Sequence, residues 1–196
     1  MTAPVPAPDR AGLQMLGGAI LSLCDYTGNW SRPYEERGYH VIRVDLQQGK
    51  DVRLLEKVNA PIRGILAAPP CDAFAGSGAR WWAGKGLLPL CEGLSIVDAC
   101  LRAVVVHRPA WWALENPVGR LRKYLGAPTL IFHPCDFGDP YTKKTLLWGS
   151  FNEPARHPVE PIEGSKMHLV APSPNRKNIR SATPMGFARA FAEANP

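Results

Sequence analysis

The sequence predicts an α/β fold built on a mostly parallel, doubly wound sheet. Three observations carry that expectation. Short apolar runs with strand character recur at 18–24, 40–46, 62–68 and 111–114. Segments with helical spacing fall between them, so strand and helix alternate. Several of the runs stop at residues that carry chemistry, as expected at the carboxyl rim of a parallel sheet.

The elements follow in order. Residues 1–12 are rich in proline and alanine and read as a flexible tail, leaving 13–196 as a single domain. Leu13 to Cys24 is apolar enough to imitate the core of a secretion signal. It lacks a basic start and a small-residue cleavage site, and Asp25-Tyr26-Thr27-Gly28 follows directly, so a first core strand from Gly18 is the better reading. Pro33 to Arg37 opens a short helix, His40 to Leu46 is a second strand, and Asp51 to Val58 a short helical piece. Ile62 to Ala68 is a third strand-like run that stops at Pro69-Pro70. From Gly86 to His107, Leu87, Leu90, Leu94, Val97, Leu101 and Val104 recur at helical spacing and predict the longest helix. Trp111 to Leu114 is a strand and Arg120 to Leu125 a helical turn or two. Thr129 to His133 and Thr145 to Trp148 are expected as a late antiparallel pair, and Pro184 opens a closing helix through Phe191.

At 196 residues, 45% hydrophobic and 20% charged, the chain has the composition of an ordinary globular protein. A net charge of +6 suits a polyanionic partner without specifying one. The five cysteines occur singly, which argues for a reducing compartment over a disulfide framework. No metal is expected: His133-Pro134-Cys135 is the one close His/Cys pair and lacks a second half. No run is long enough to cross a bilayer, so a soluble cytoplasmic protein is expected.

Two groups stand out at run ends. Cys71 follows Pro69-Pro70, which fix a loop that apolar packing alone would not require. A thiol there, ionised by local dipoles or a cation, is a usable nucleophile, whereas Cys24, Cys91 and Cys100 read as small core residues. Glu115 ends the run Ala110-Trp111-Trp112-Ala113-Leu114. Partial enclosure by tryptophans would raise its pKa and let it donate a proton near neutrality; the alternative is a loop carboxylate, against which Asn116-Pro117 speaks by fixing the backbone. The first run ends in Asp25-Tyr26-Thr27-Gly28, whose glycine permits close backbone approach to a ligand, and the second in Val44-Asp45, placed to accept bonds from ribose hydroxyls. Asp51 stands in the next connection within reach of an adenine amino group. For both aspartates a turn-residue role is an equal alternative.

Cys24-Asp25-Tyr26-Thr27-Gly28, Val44-Asp45, Pro69-Pro70-Cys71 and Glu115-Asn116-Pro117, in this order, resemble the DNA cytosine-5 methyltransferases, and more closely a compact phage and prophage group without the large target recognition domain. The resemblance covers roughly 16–196. It implies a Rossmann-like class I S-adenosylmethionine-dependent methyltransferase fold. Cys71 would attack C6 of a cytosine in DNA, Glu115 would bind and protonate N3, and C5 would receive the methyl group of S-adenosylmethionine. Gly28 and Asp45 would hold the cofactor, with Asp25, Tyr26 and Pro70 beside them and Asp51 near the adenine. Asn116 and Pro117 would shape the cofactor and base pocket. The segment from Gly76 to Gly86, with Arg80, Trp81, Trp82 and Lys85, resembles the family's mobile loop; packing into the core is the alternative for Trp82. Lys143 and Lys144 stand where the family carries basic residues near the flipped base, the alternative being an ordinary solvated turn.

The chain also departs from the pattern. Tyr26 and Asn29 replace the outer glycines of the cofactor loop, and Asp72 replaces the glutamine after the catalytic cysteine. Only a short stretch separates Trp148 from Arg180-Ser181-Ala182-Thr183-Pro184, where the recognition domain would lie. Specificity would then come from a second subunit or homodimer, or the substrate would be RNA or a free nucleotide. Transfer of a different group, or a non-catalytic nucleic-acid-binding or decoy protein on the same fold, stays open.

Overall fold

In the computed structural model, which describes residues 17–196, six strands form one sheet. They are β1 (Ala19–Leu23), β2 (Val41–Val44), β3 (Ile62–Ala67), β4 (Trp111–Pro117), β5 (Leu130–Phe132) and β6 (Thr145–Ser150), in the spatial order β2-β1-β3-β4-β6-β5. The first four run parallel, and β6 lies reversed between β4 and β5. The doubly wound α/β sheet and the late antiparallel pair are thus present. The tail over 1–12 and the start of the apolar run at Leu13 fall outside the described residues.

Helices cover both faces: α1 (Arg32–Glu36), α2 (Trp82–Lys85), α3 (Leu88–His107), α4 (Arg122–Leu125), α5 (Arg176–Ser181) and α6 (Met185–Ala194). Successive strand residues point to opposite faces, so each central strand feeds two cores. Leu21, Leu23 and Ile65 pack with Val97, Cys100 and Ala103 of α3. Ile20 and Leu66 pack on the other side with Trp30, Tyr34 and the α6 residues Phe187 and Phe191. Trp111 enters this second core and stacks on Tyr34 at 5.5 Å between ring centroids. It fits because its partner across the ladder is Gly64, where an added Cβ would lie 2.0 Å from the indole.

Four expectations are corrected. β4 does not stop at Leu114. It continues through Glu115, Asn116 and Pro117, because β6 pairs with it as far as Thr145 and so supplies the partner that makes those residues strand. Between Asp51 and Val58 only the 3-10 turn Val52–Leu54 forms. The glycine-rich segment after Cys71 is wound into a 3-10 helix, Gly76–Trp81, running into α2. Cys91 is exposed, since the buried stripe of α3 runs through Leu90, Gly93, Val97 and Cys100 and leaves position 91 outside it. Cys24 is half-buried, at φ 59 just past β1, and Cys100 is buried. No helix among the described residues is long and apolar enough to cross a membrane.

Candidate active site

Because β1 to β4 are parallel, their carboxyl ends share one rim, and the antiparallel β6 begins there. Asp25, Asp45, Cys71, Glu115 and Lys143 are all delivered to this rim by strand ends. Chain order reverses between β1 and its neighbours β2 and β3, which makes the end of β1 the topological switch point, where doubly wound sheets generally bind ligands.

Cys71 and Glu115 stand on adjacent segments laced together over their length. Ala67 and Leu114 are register partners, and Asn116 Nδ2 donates to the Pro69 carbonyl at 2.9 Å. Gly76 N–H then donates to the Val118 carbonyl and Arg120 N–H to the Phe74 carbonyl, around an Ala75–Gly119 bridge. Gly119 is obligatory here: an added Cβ would sit 1.9 Å from the Phe74 carbonyl oxygen. The Cys71 carbonyl accepts from the N–H groups of both Phe74 and Ala75 at 2.8 Å, which closes a tight turn behind the thiol.

The electrostatics of the pair follow from burial. Glu115 is buried and its pKa is raised, chiefly by desolvation; Lys143 opposes the shift and Asp25 adds to it. The Cys71 thiol is also pushed up, first by burial and then by Glu115 and Asp72, with Lys143 pulling the other way. This corrects the expectation of a locally ionised thiol: two carboxylates face it and one cation partly offsets them. Cys71 therefore sits within the field of Glu115, and burial shifts both groups toward the protonated form. Lys143 is half-buried, while Lys144 is exposed and forms the ordinary solvated part of the turn. Tyr141, whose hydroxyl is pushed up to about 12 mainly by burial, also feels Glu115.

The candidate cofactor residues divide into two sets. Asp45 is buried and commits Oδ1 to the Gln47 N–H at 2.8 Å, so Oδ2 is left without a bond among the described residues. Asn116 must present its NH2 to Pro69, which can only accept, and its Oδ1 is left buried with no donor. Asp45 and Asn116 therefore fit a ligand that brings hydrogen-bond donors, such as ribose hydroxyls or an ammonium, to this rim. The others are differently occupied. Asp25 accepts from Ser22, Thr27 and Ser31 and holds the loop in shape. Both Asp51 oxygens are bound by Arg53 in an exposed pair. Gly28 has φ +68, but what approaches it is the Arg43 guanidinium, 2.8 Å from where a Cβ would be. Tyr26 and Pro70 lie exposed on the rim.

The aromatic and basic residues are split as well. Trp81 is 58% exposed with the Arg80 guanidinium 5.0 Å from its ring, and Lys85 is exposed. Trp82 is half-buried under the Arg120 guanidinium at 4.5 Å, and its Nε1 is buried without a partner. Sequence reasoning missed Arg120 and the α5 crossing; the glycine of Pro117-Val118-Gly119-Arg120 was the readable sign of the first. α5 lies across the rim. Lys177 pairs with Asp72 at 2.6 Å, Asn178 exchanges amide bonds with Gln47, and the Ala182 and Thr183 carbonyls accept from Lys143 and Asn29. No α5 residue is buried, and the contacts named here that seat it are polar.

No protein-family profile and no curated protein matches this chain. Among solved structures it is similar to a protein encoded within an Escherichia coli prophage and described as a DNA modification methyltransferase, at 19% identity and a TM-score of 0.50. The match covers 67% of this chain and 45% of that one, so the chain spans less than half its length. The likeness establishes the fold: a Rossmann-like α/β sheet of the kind that methyltransferase-type structure has.

Proposed function

We propose that this chain is a methyltransferase that modifies C5 of cytosine in DNA, with S-adenosylmethionine as donor. The observation that supports the reading is the lacing of the Cys71 turn to the Glu115 strand, which brings a thiol and a buried carboxyl of raised pKa to neighbouring segments of the same rim. Cytosine C5 is not nucleophilic by itself. Addition of Cys71 Sγ at C6 forms the S–C6 bond and moves the C5–C6 π electrons into the ring, where the Glu115 proton, delivered to N3, receives the charge. C5 then becomes an enamine carbon. Burial raises the Glu115 pKa, the direction this donation requires. The Cys71 proton must leave before attack, and Lys143 is the cation that favours its loss. Loss of the C5 proton to a base, departure of Sγ from C6 and return of the N3 proton to Glu115 would restore the aromatic ring and the enzyme.

S-adenosylmethionine, when bound, supplies an electrophilic methyl carbon. Asp45 and the free Oδ1 of Asn116 are the residues suited to hold its donors. A cytosine would have to leave its stack to reach Cys71, and exposed Arg80, Trp81 and Lys85 suit stacking against bases and contact with phosphate. A homodimer or second subunit would supply target reading. A second reading, a non-catalytic binding protein, is favoured by one observation: Arg43 fills the approach to Gly28. Mass spectrometry of nucleosides from DNA of cells expressing the protein separates the two. 5-Methylcytosine that disappears with Cys71→Ala supports the enzyme. DNA identical to that of the Cys71→Ala control supports the binding protein.

A further inference from the structure

We propose that Arg120 is a positioning residue that ties the aim of the Cys71 thiol to the seating of Trp82. The proposal rests on the catalytic reading of Cys71 given above. The turn that follows Cys71 has two more carbonyls to satisfy, those of Ala73 and Phe74, and both residues are buried. Arg120 takes both: its Nε–H donates to Ala73 at 2.6 Å and its backbone N–H to Phe74 at 2.9 Å. The guanidinium that makes the first bond lies against Trp82, the first residue of α2 and part of the segment from Gly76 to Gly86.

One planar group thus serves the nucleophile's turn through its Nε–H and the glycine-rich segment through its π face. A guanidinium suits this because face and edge are fixed relative to each other. When Trp82 is seated, the indole holds the plane and the plane holds the Ala73 carbonyl. When Trp82 leaves, the guanidinium loses its platform and the turn behind Cys71 loses its lock. The Trp82 seat is itself incomplete, since the indole N–H is buried without an acceptor, which lowers the cost of leaving it. Seating of Trp82 and support of the turn behind Cys71 are coupled through this one group.

The test is the rate of Cys71 alkylation by iodoacetamide, resolved by peptide mass spectrometry, with exposed Cys91 as internal standard. Trp82→Ala and Arg120→Ala should each raise the Cys71/Cys91 rate ratio several-fold, and the double variant should match either single one, because both break the same lock. Trp82→Phe, which keeps an aromatic face, should stay near wild type, while Arg120→Lys should behave as Arg120→Ala. If Arg120→Ala does not fold, Arg120→Lys and Trp82→Ala carry the comparison. An unchanged ratio in the single variants, or independent effects that multiply in the double one, would overturn the proposal. Trapping on a 5-fluorocytosine oligonucleotide, run on the same samples, keeps the two claims apart: its failure in the wild type sinks the methyltransferase reading, whereas the alkylation ratios judge Arg120.

Discussion

Asn116 donates its side-chain amide to the Pro69 carbonyl at 2.9 Å, and this buried bond joins the two segments that carry the candidate nucleophile and acid. Both residues are buried, so water cannot stand in for either partner.

Asn116→Ala leaves the Pro69 carbonyl without a donor and should cost about 1–3 kcal/mol in urea unfolding. Asn116→Asp should cost more at neutral pH, because it turns a buried donor into an anion facing a carbonyl. Equal stability of wild type and Asn116→Ala would show that the joint is held elsewhere.

Glu115 sets a stability difference with a defined sign. Its folded pKa is raised above the unfolded value, so between the two the native state binds more protons and stability falls as pH rises. Glu115→Gln removes that penalty. The variant should gain on wild type as pH climbs from the ordinary glutamate range through the raised value, and the gap should close below that range. Denaturant melts at several pH values read this directly, and a gap that stays constant with pH would contradict the burial argument.

The Cys71 thiol should titrate above a free model thiol, so its alkylation rate should rise at higher pH than that of N-acetylcysteine. Lys143→Ala removes the one cation that lowers both Cys71 and Glu115, and should move the Cys71 inflection further up. An unmoved pH–rate profile in that variant would place Lys143 outside the site.

The sheet was legible because its signals are local. Apolar runs and helical spacing mark β1 to β4 and α3, and Pro184 marks the start of α6. What the sequence hid depends on partners distant in the chain. Glu115-Asn116-Pro117 reads as a loop until β6 arrives beside it, and α5 has no buried residue and hence no apolar signature. The candidate site shows the same division. Cys71 and Glu115 stand out by residue type at run ends, and their nearness follows from the neighbouring parallel strands. The engagement of Asp51 by Arg53 and the Arg43 contact at Gly28 are set by which charged side chains fold against them, and the raised Cys71 thiol by burial first and charged neighbours second. No motif spacing records that.

The most direct measurement is covalent capture on a DNA oligonucleotide carrying 5-fluorocytosine in the presence of S-adenosylmethionine, with the attached peptide sequenced. The account predicts a stable adduct at Cys71, absent in Cys71→Ala and formed far more slowly in Glu115→Gln. No adduct in the wild type, or one that persists in Cys71→Ala, would contradict it.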